Sequence, residues 1–170
     1  MPTQPLGELR KEPDGYLVRF ERNFMQDPDA VWDVLTNPVK LKSWFAETTI
    51  DLAPGGKINF HFNDEDQTES TAVITRIIPG KFFEYLWDEE LATWELFTGE
   101  KPFLCKLVLT YSGMQDNFAI NVAAGWHIYL HQLRVLLEGK RETDSYSGPD
   151  SEIEKLIKRN YQDLWNNTFS

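Results

Sequence analysis

Positive charge is scarce in this chain: 17 lysines and arginines stand against 27 aspartates and glutamates, a formal net charge of −10 over 170 residues. Nucleic acids and anionic membranes both demand a basic surface that displaces counterions or meets headgroups, so neither is expected as a partner. Cysteine is nearly absent too. Cys105 stands alone, can form no internal disulfide, and in its apolar strand pattern reads as a small buried hydrophobe. No apolar run reaches the roughly eighteen residues of a membrane span, and residues 1–15 lack the apolar centre of a signal peptide. A cytoplasmic location is the expectation.

Catalytic signatures are missing as well. The chain contains no glycine-rich phosphate loop, no nucleophile elbow, and no nucleophile or acid–base pair converging on one place. Glu84 and Glu95 could serve as bases only if buried, and strand parity sets both opposite the aromatic side chains. No catalytic residue and no cofactor is therefore named. His127 and His131 have the four-residue spacing of a helical metal pair, but they fall on a polar flank with Arg134 and Glu138, and no third ligand is indicated. Asp64 and Asp66 lack the further carboxylates and the glycine of a calcium loop. No metal site is expected.

What is present is apolar and aromatic. With 41% hydrophobic and 14% aromatic residues, a chain of this length can bury the core of one domain. Residues 1–15 read as an irregular N-terminal arm. From Tyr16, alternation of Tyr16, Val18 and Phe20 predicts a strand. Asp27 before Pro28 starts one short helix, and Pro38 opens a second that runs through Leu41 to Trp44. The period then changes from helix to strand. Pro54-Gly55-Gly56 predicts a tight turn, Asn63 to Gln67 a polar hairpin tip, and six strands follow one another in an antiparallel meander. Phe60, Phe62, Phe83, Tyr85, Trp87, Trp94, Phe103 and Tyr111 share its inner face.

One long helix closes the domain, from Asp116 to a stop at Gly139, with Lys140 and Arg141 beside its negative end. Trp126, Leu130, Leu133 and Leu137 form its buried stripe. Ile128 and Val135 point to the opposite side, which an exposed helix back would not need. A linker over 140–149 and an extra helix over 150–166 follow, started by Pro149 with Asp150 or Ser151, its stripe being Ile153, Leu156, Ile157, Tyr161 and Leu164. That helix is expected to cover the back of the long helix or to pair with a second copy as a homodimer.

Several of these residues carry a resemblance: Val31-Trp32, Leu35-Thr36, Pro38, Leu41 and Trp44-Phe45 in the opening helices, Pro54-Gly55-Gly56 in the first hairpin, and Gly125-Trp126, Leu133 and Leu137-Glu138-Gly139 in the long helix. Together they resemble the activator of heat-shock protein 90 ATPase homologue-like family, C-terminal domain type, of the START-like (SRPBCC) superfamily. The resemblance covers residues 16–139. It implies an α+β helix-grip fold (START-like, Bet v 1-like): a curved sheet around the long helix with a cavity between them.

A concave sheet closed by one helix often leaves several hundred Å³ for a small molecule. Phe60, Phe62, Tyr85, Trp87, Trp94 and Tyr111 are the expected ligand-binding residues of the sheet, with Trp126, Tyr129, Leu130 and Leu133 on the helix. The leading reading is non-enzymatic binding of a hydrophobic, lipid-like or aromatic small molecule. Alternatives are a protein-interaction or co-chaperone-like module and a cyclase or hydrolase-like enzyme using the same cavity.

Overall fold

A computed structural model describes residues 4–101, 104–139 and 151–169. Eight antiparallel strands form one sheet in the order β1-β2-β8-β7-β6-β5-β4-β3. Strand β2 (Gly15–Phe24) precedes two short helices, α1 (Pro28–Thr36) and α2 (Pro38–Trp44). The meander is β3 (Glu47–Ile50), β4 (Lys57–His61), β5 (Glu69–Ile78), β6 (Phe82–Trp87), β7 (Glu90–Thr98) and β8 (Cys105–Met114). Helix α3 (Asp116–Glu138) and helix α4 (Glu152–Phe169) complete the chain.

The expected element order is present, and local chemistry explains its boundaries. The Asp27 carboxylate accepts from the Asp29 N–H and Pro28 follows, while Asn37 does the same for α2 through the Val39 N–H. Each cap satisfies an otherwise orphaned helix donor. Gly139 ends α3 at φ 66°, in the left-handed region. Gly55 takes φ 79° in the first hairpin, as the Pro-Gly-Gly turn requires. Register shifts at Tyr16/Val18 and Ile74/Arg76 interrupt the ladders, and such bulges bend a sheet. The described core runs from Val18 and Phe20 through Trp94, Leu107 and Leu109 to Leu130 and Leu133 of α3.

Three expectations need correction. The N-terminal arm is not irregular throughout, because β1 (Glu8–Glu12) pairs with β2 in register Glu12↔Gly15. Only Leu9 of β1 is buried, so the strand has no hydrophobic alternation to read. The chain turns back at Gly15, φ 143°, where a Cβ would stand 2.5 Å from the Met114 carbonyl oxygen. Second, His127 and His131, read as members of a polar flank, are buried at 4% exposure. Helix α4 packs on α3, and the Tyr161 hydroxyl meets His127 Nδ1 at 2.9 Å. Third, Leu156 is 52% exposed and off the buried stripe of α4, which instead follows Ile153, Ile157, Tyr161, Leu164 and Trp165.

Helix α4 belongs to the fold of its own chain. The Tyr161 hydroxyl accepts the Gly7 N–H at 2.8 Å, so one oxygen joins the N-terminal segment, α3 and α4. Farther along, Trp165 and Phe169 pack on Tyr16 with ring centroids 4.5 and 5.2 Å away. Ile128 and Val135, the apolar side chains on the back of α3, are buried. Ser151 Oγ accepts the Glu154 N–H and starts α4. Phe103, Lys140, Arg141, Pro149, Asp150 and the linker lie outside the described residues.

Candidate functional site

The sheet's inner face alternates large rings with small residues because cross-strand partners share a face. Ala72 is paired with Ile58 and Trp87, and Ala92 with Tyr85 and Tyr111. Their methyl groups leave room between rings. Helix α3 lies across this face, and Phe45, immediately after α2, enters from the open side. Its ring stacks on Trp126 at 5.3 Å with planes 10° apart, and Phe60, Phe62, Trp87 and Tyr129 surround its other sides at 4.7–6.0 Å.

Phe45 divides the space between sheet and helix into two. The inner part, bounded by Trp44, Phe60, Phe83, Tyr85, Trp94 and Trp126, leaves about 10 Å³ in which the centre of a water molecule can lie. That is room for about one water. The expected cavity of several hundred Å³ is thus filled here by the rings themselves. Trp94 Nε1–H donates to the Tyr85 hydroxyl at 3.3 Å, and burial pushes the Tyr85 pKa above its ordinary value.

The outer part is roomy. By the same measure it offers about 330 Å³, in a cleft open to solvent and walled by Phe45, Phe62, Trp87, Tyr111, Trp126 and Tyr129. Val122 and Gly125 of α3 complete the wall, with Thr68, Ser70, Asp88 and Glu90 as its polar members. Trp87 donates its indole N–H to Ser70 Oγ, which fixes the ring plane. Burial raises the pKa of Tyr111 and of Tyr129, so both hydroxyls stay protonated hydrogen-bonding groups.

Of the expected ligand residues, Phe60, Tyr85 and Trp94 sit around the filled inner space, and Phe62, Trp87, Tyr111 and Tyr129 around the cleft. Trp126 faces both. Leu130 and Leu133 line neither; they are core residues at 1% and 0% exposure. Glu84, whose carboxylate accepts from Thr75 and Thr93, is held away from the cleft.

Two contributors were not anticipated. Phe45 follows a helix end, where periodicity stops assigning faces, although its spacing of four from Leu41 was a usable sign. Glu90 reads as part of an acidic turn, yet the turn is only Asp88-Glu89, with Asp88 at φ 56°, and Glu90 is the cross-strand partner of Trp87. A two-residue hairpin puts both partners on the same face. Glu90 therefore points to the aromatic side, where its Oε2 is buried with no hydrogen-bond partner. Burial raises its pKa; the Tyr111 hydroxyl acts against that shift and the Asp88 charge with it.

Gly125 is the other unusual member. A Cβ there would meet nothing within 4 Å, so packing does not demand glycine in the middle of α3.

A family model described as Activator of Hsp90 ATPase homolog 1-like protein matches residues 26–138. No curated protein matches. Among solved structures, a conserved protein of unknown function from Enterococcus faecalis is 23% identical, with 96% of this chain and 92% of that one covered and a TM-score of 0.77. CalU16 from Micromonospora echinospora is 19% identical over 93% of this chain and 94% of its own, TM-score 0.70. The Aha1 dimer from Colwellia psychrerythraea is 21% identical over 72% and 96%, TM-score 0.61. Identities this low speak for a shared helix-grip fold alone.

Proposed function

We propose, for a chain that belongs to the Activator of Hsp90 ATPase homolog 1-like protein family, that it binds a hydrophobic, ring-bearing or lipid-like small molecule in the outer cleft between sheet and α3. The observation that carries this reading is the cleft itself, about 330 Å³ walled by six aromatic rings beside a few polar groups. Such a concave, mostly apolar site with sparse orienting groups is the usual form of a small-molecule site. Gly125 supports it, since glycine inside a helix costs up to about 1 kcal/mol relative to alanine and here only widens the cleft.

The reading places Phe62, Trp87, Tyr111, Trp126 and Tyr129 against the ligand. Phe45 joins them, while Phe60, Tyr85 and Trp94 support the wall from behind. Native mass spectrometry of the freshly purified chain tests it directly: a discrete extra mass of a few hundred daltons is expected, and Gly125→Leu, which fills the cleft, should remove it. A clean mass in both proteins, with no uptake of added hydrophobic compounds, would sink the assignment. The same spectrum addresses a second reading, assembly through α4. The outward Leu156, 52% exposed, gives a homodimer one apolar contact point, and Leu156→Asp would abolish a dimer peak that used it.

A further inference from the structure

We infer that the outer cleft selects an organic cation, an ammonium whose charged head rests among the rings and is met by the carboxylate of Glu90; this rests on the reading of the cleft as a ligand site. Glu90 Oε2 is buried without a hydrogen-bond partner, on the aromatic face of the sheet. The Tyr111 hydroxyl hydrogen-bonds this carboxylate, but no cationic side chain among the described residues of the wall neutralises its charge, and a charge withdrawn from water without a counter-charge costs stability. The complement of a buried carboxylate oxygen is a positively charged group.

The surroundings agree in sign. Asp88 stands at the rim of the same cleft, the Asp64 charge acts on Tyr129, and no lysine or arginine is among the described residues of the wall. Trp87, Trp126 and Tyr129 are among the rings of the wall, and the negative quadrupole of an aromatic ring attracts a cation within about 6 Å of its centre. An anionic ligand would meet like charge from Asp88 and Glu90. A neutral oily one would dry the cleft further and leave the Glu90 charge without a counter-charge. A metal ion is a poor match, because hard cations want six or more oxygens and the described residues hold no group of three metal-ligating side chains. An alkylated ammonium needs few hydrogen bonds and is satisfied by rings and one carboxylate.

The test is calorimetric titration of the full chain with 4-hydroxybenzyltrimethylammonium and with its neutral carbon isostere, 4-neopentylphenol. The cation should bind about tenfold or more tightly. Glu90→Gln should erase that preference while leaving Tm unchanged or higher, since it removes a desolvated charge. Asp88→Asn keeps a residue tolerant of positive φ and should lose the preference in part, which provides the readout should Glu90→Gln fold poorly. Equal binding of the two isosteres, or a preference unchanged in both variants, overturns the cation assignment and leaves the hydrophobic site standing. Binding of neither compound to the wild-type chain, together with no effect of Gly125→Leu on any bound mass, overturns both.

Discussion

His127 is a residue whose protonation the fold resists. Burial, followed by the nearby Arg22 and His131 charges, brings its pKa down from 6.5 to about 4. The folded chain therefore favours the neutral ring, and the Tyr161 hydroxyl can donate to Nδ1 only while that nitrogen is unprotonated. The unfolded chain binds the proton first. Stability contributed by this group is present in full above pH 6.5 and is lost as pH falls through the window from 6.5 to 4. The loss should be on the order of 3 kcal/mol. Urea titrations across that range should show it, and His127→Gln should flatten the dependence. Tyr161→Phe should cost about 1–3 kcal/mol at neutral pH, because the Gly7 N–H and His127 Nδ1 both lose their partner. Gly125→Ala should act in the opposite direction and raise stability by about 0.5–1 kcal/mol. At this scale most of the aromatic wall was legible, since strand parity sorts Phe62, Trp87 and Tyr111 to one side. Glu90 was not, because its face depends on whether the acidic turn spends two residues or three, and a run of Asp-Glu-Glu does not say.

Among the elements, α3 was the most readable. Its stripe repeats over several turns, and Gly139 punctuates it. Strand β1 was hidden for the opposite reason: at five residues with one buried side chain, it exists because β2 offers backbone partners and α4 packs beside it. Helix α4 was legible as a helix, but the face it uses became clear only from its partners, with Ile157 and Tyr161 turned to the core and Leu156 outward. Ending the chain after Gly139 should take the Tyr161 hydroxyl away from His127 and Gly7, strip Trp165 and Phe169 from Tyr16, and leave β1 poorly held. Burial of Ile157 and Tyr161 alone is worth about 2–3 kcal/mol each, so a loss of about 5 kcal/mol is expected in chemical denaturation, with a smaller m-value. An unchanged midpoint would mean that α4 adds nothing to the domain it covers.

The whole molecule carries excess negative charge, and its described strands form a single eight-stranded sheet with β1 and β3 at its edges. Self-repulsion of that surface should weaken the compact state at low ionic strength, so raising salt from about 20 to 150 mM should lift Tm by a few degrees. Exposed ion pairs such as Arg10–Glu8 oppose this only slightly. Among the described residues no helix is long and apolar enough to cross a membrane. The packing that fills the inner space also has an optical consequence. Trp94 stands 6.2 Å from Trp44 and 5.6 Å from Trp126, with ring planes at 82° and 75°. Indoles so close and so crossed share their excited states in a fixed chiral arrangement. The core is therefore its own chromophore array, and because Trp126 is also a wall of the cleft, an occupant would be written into the near-ultraviolet circular dichroism without any label.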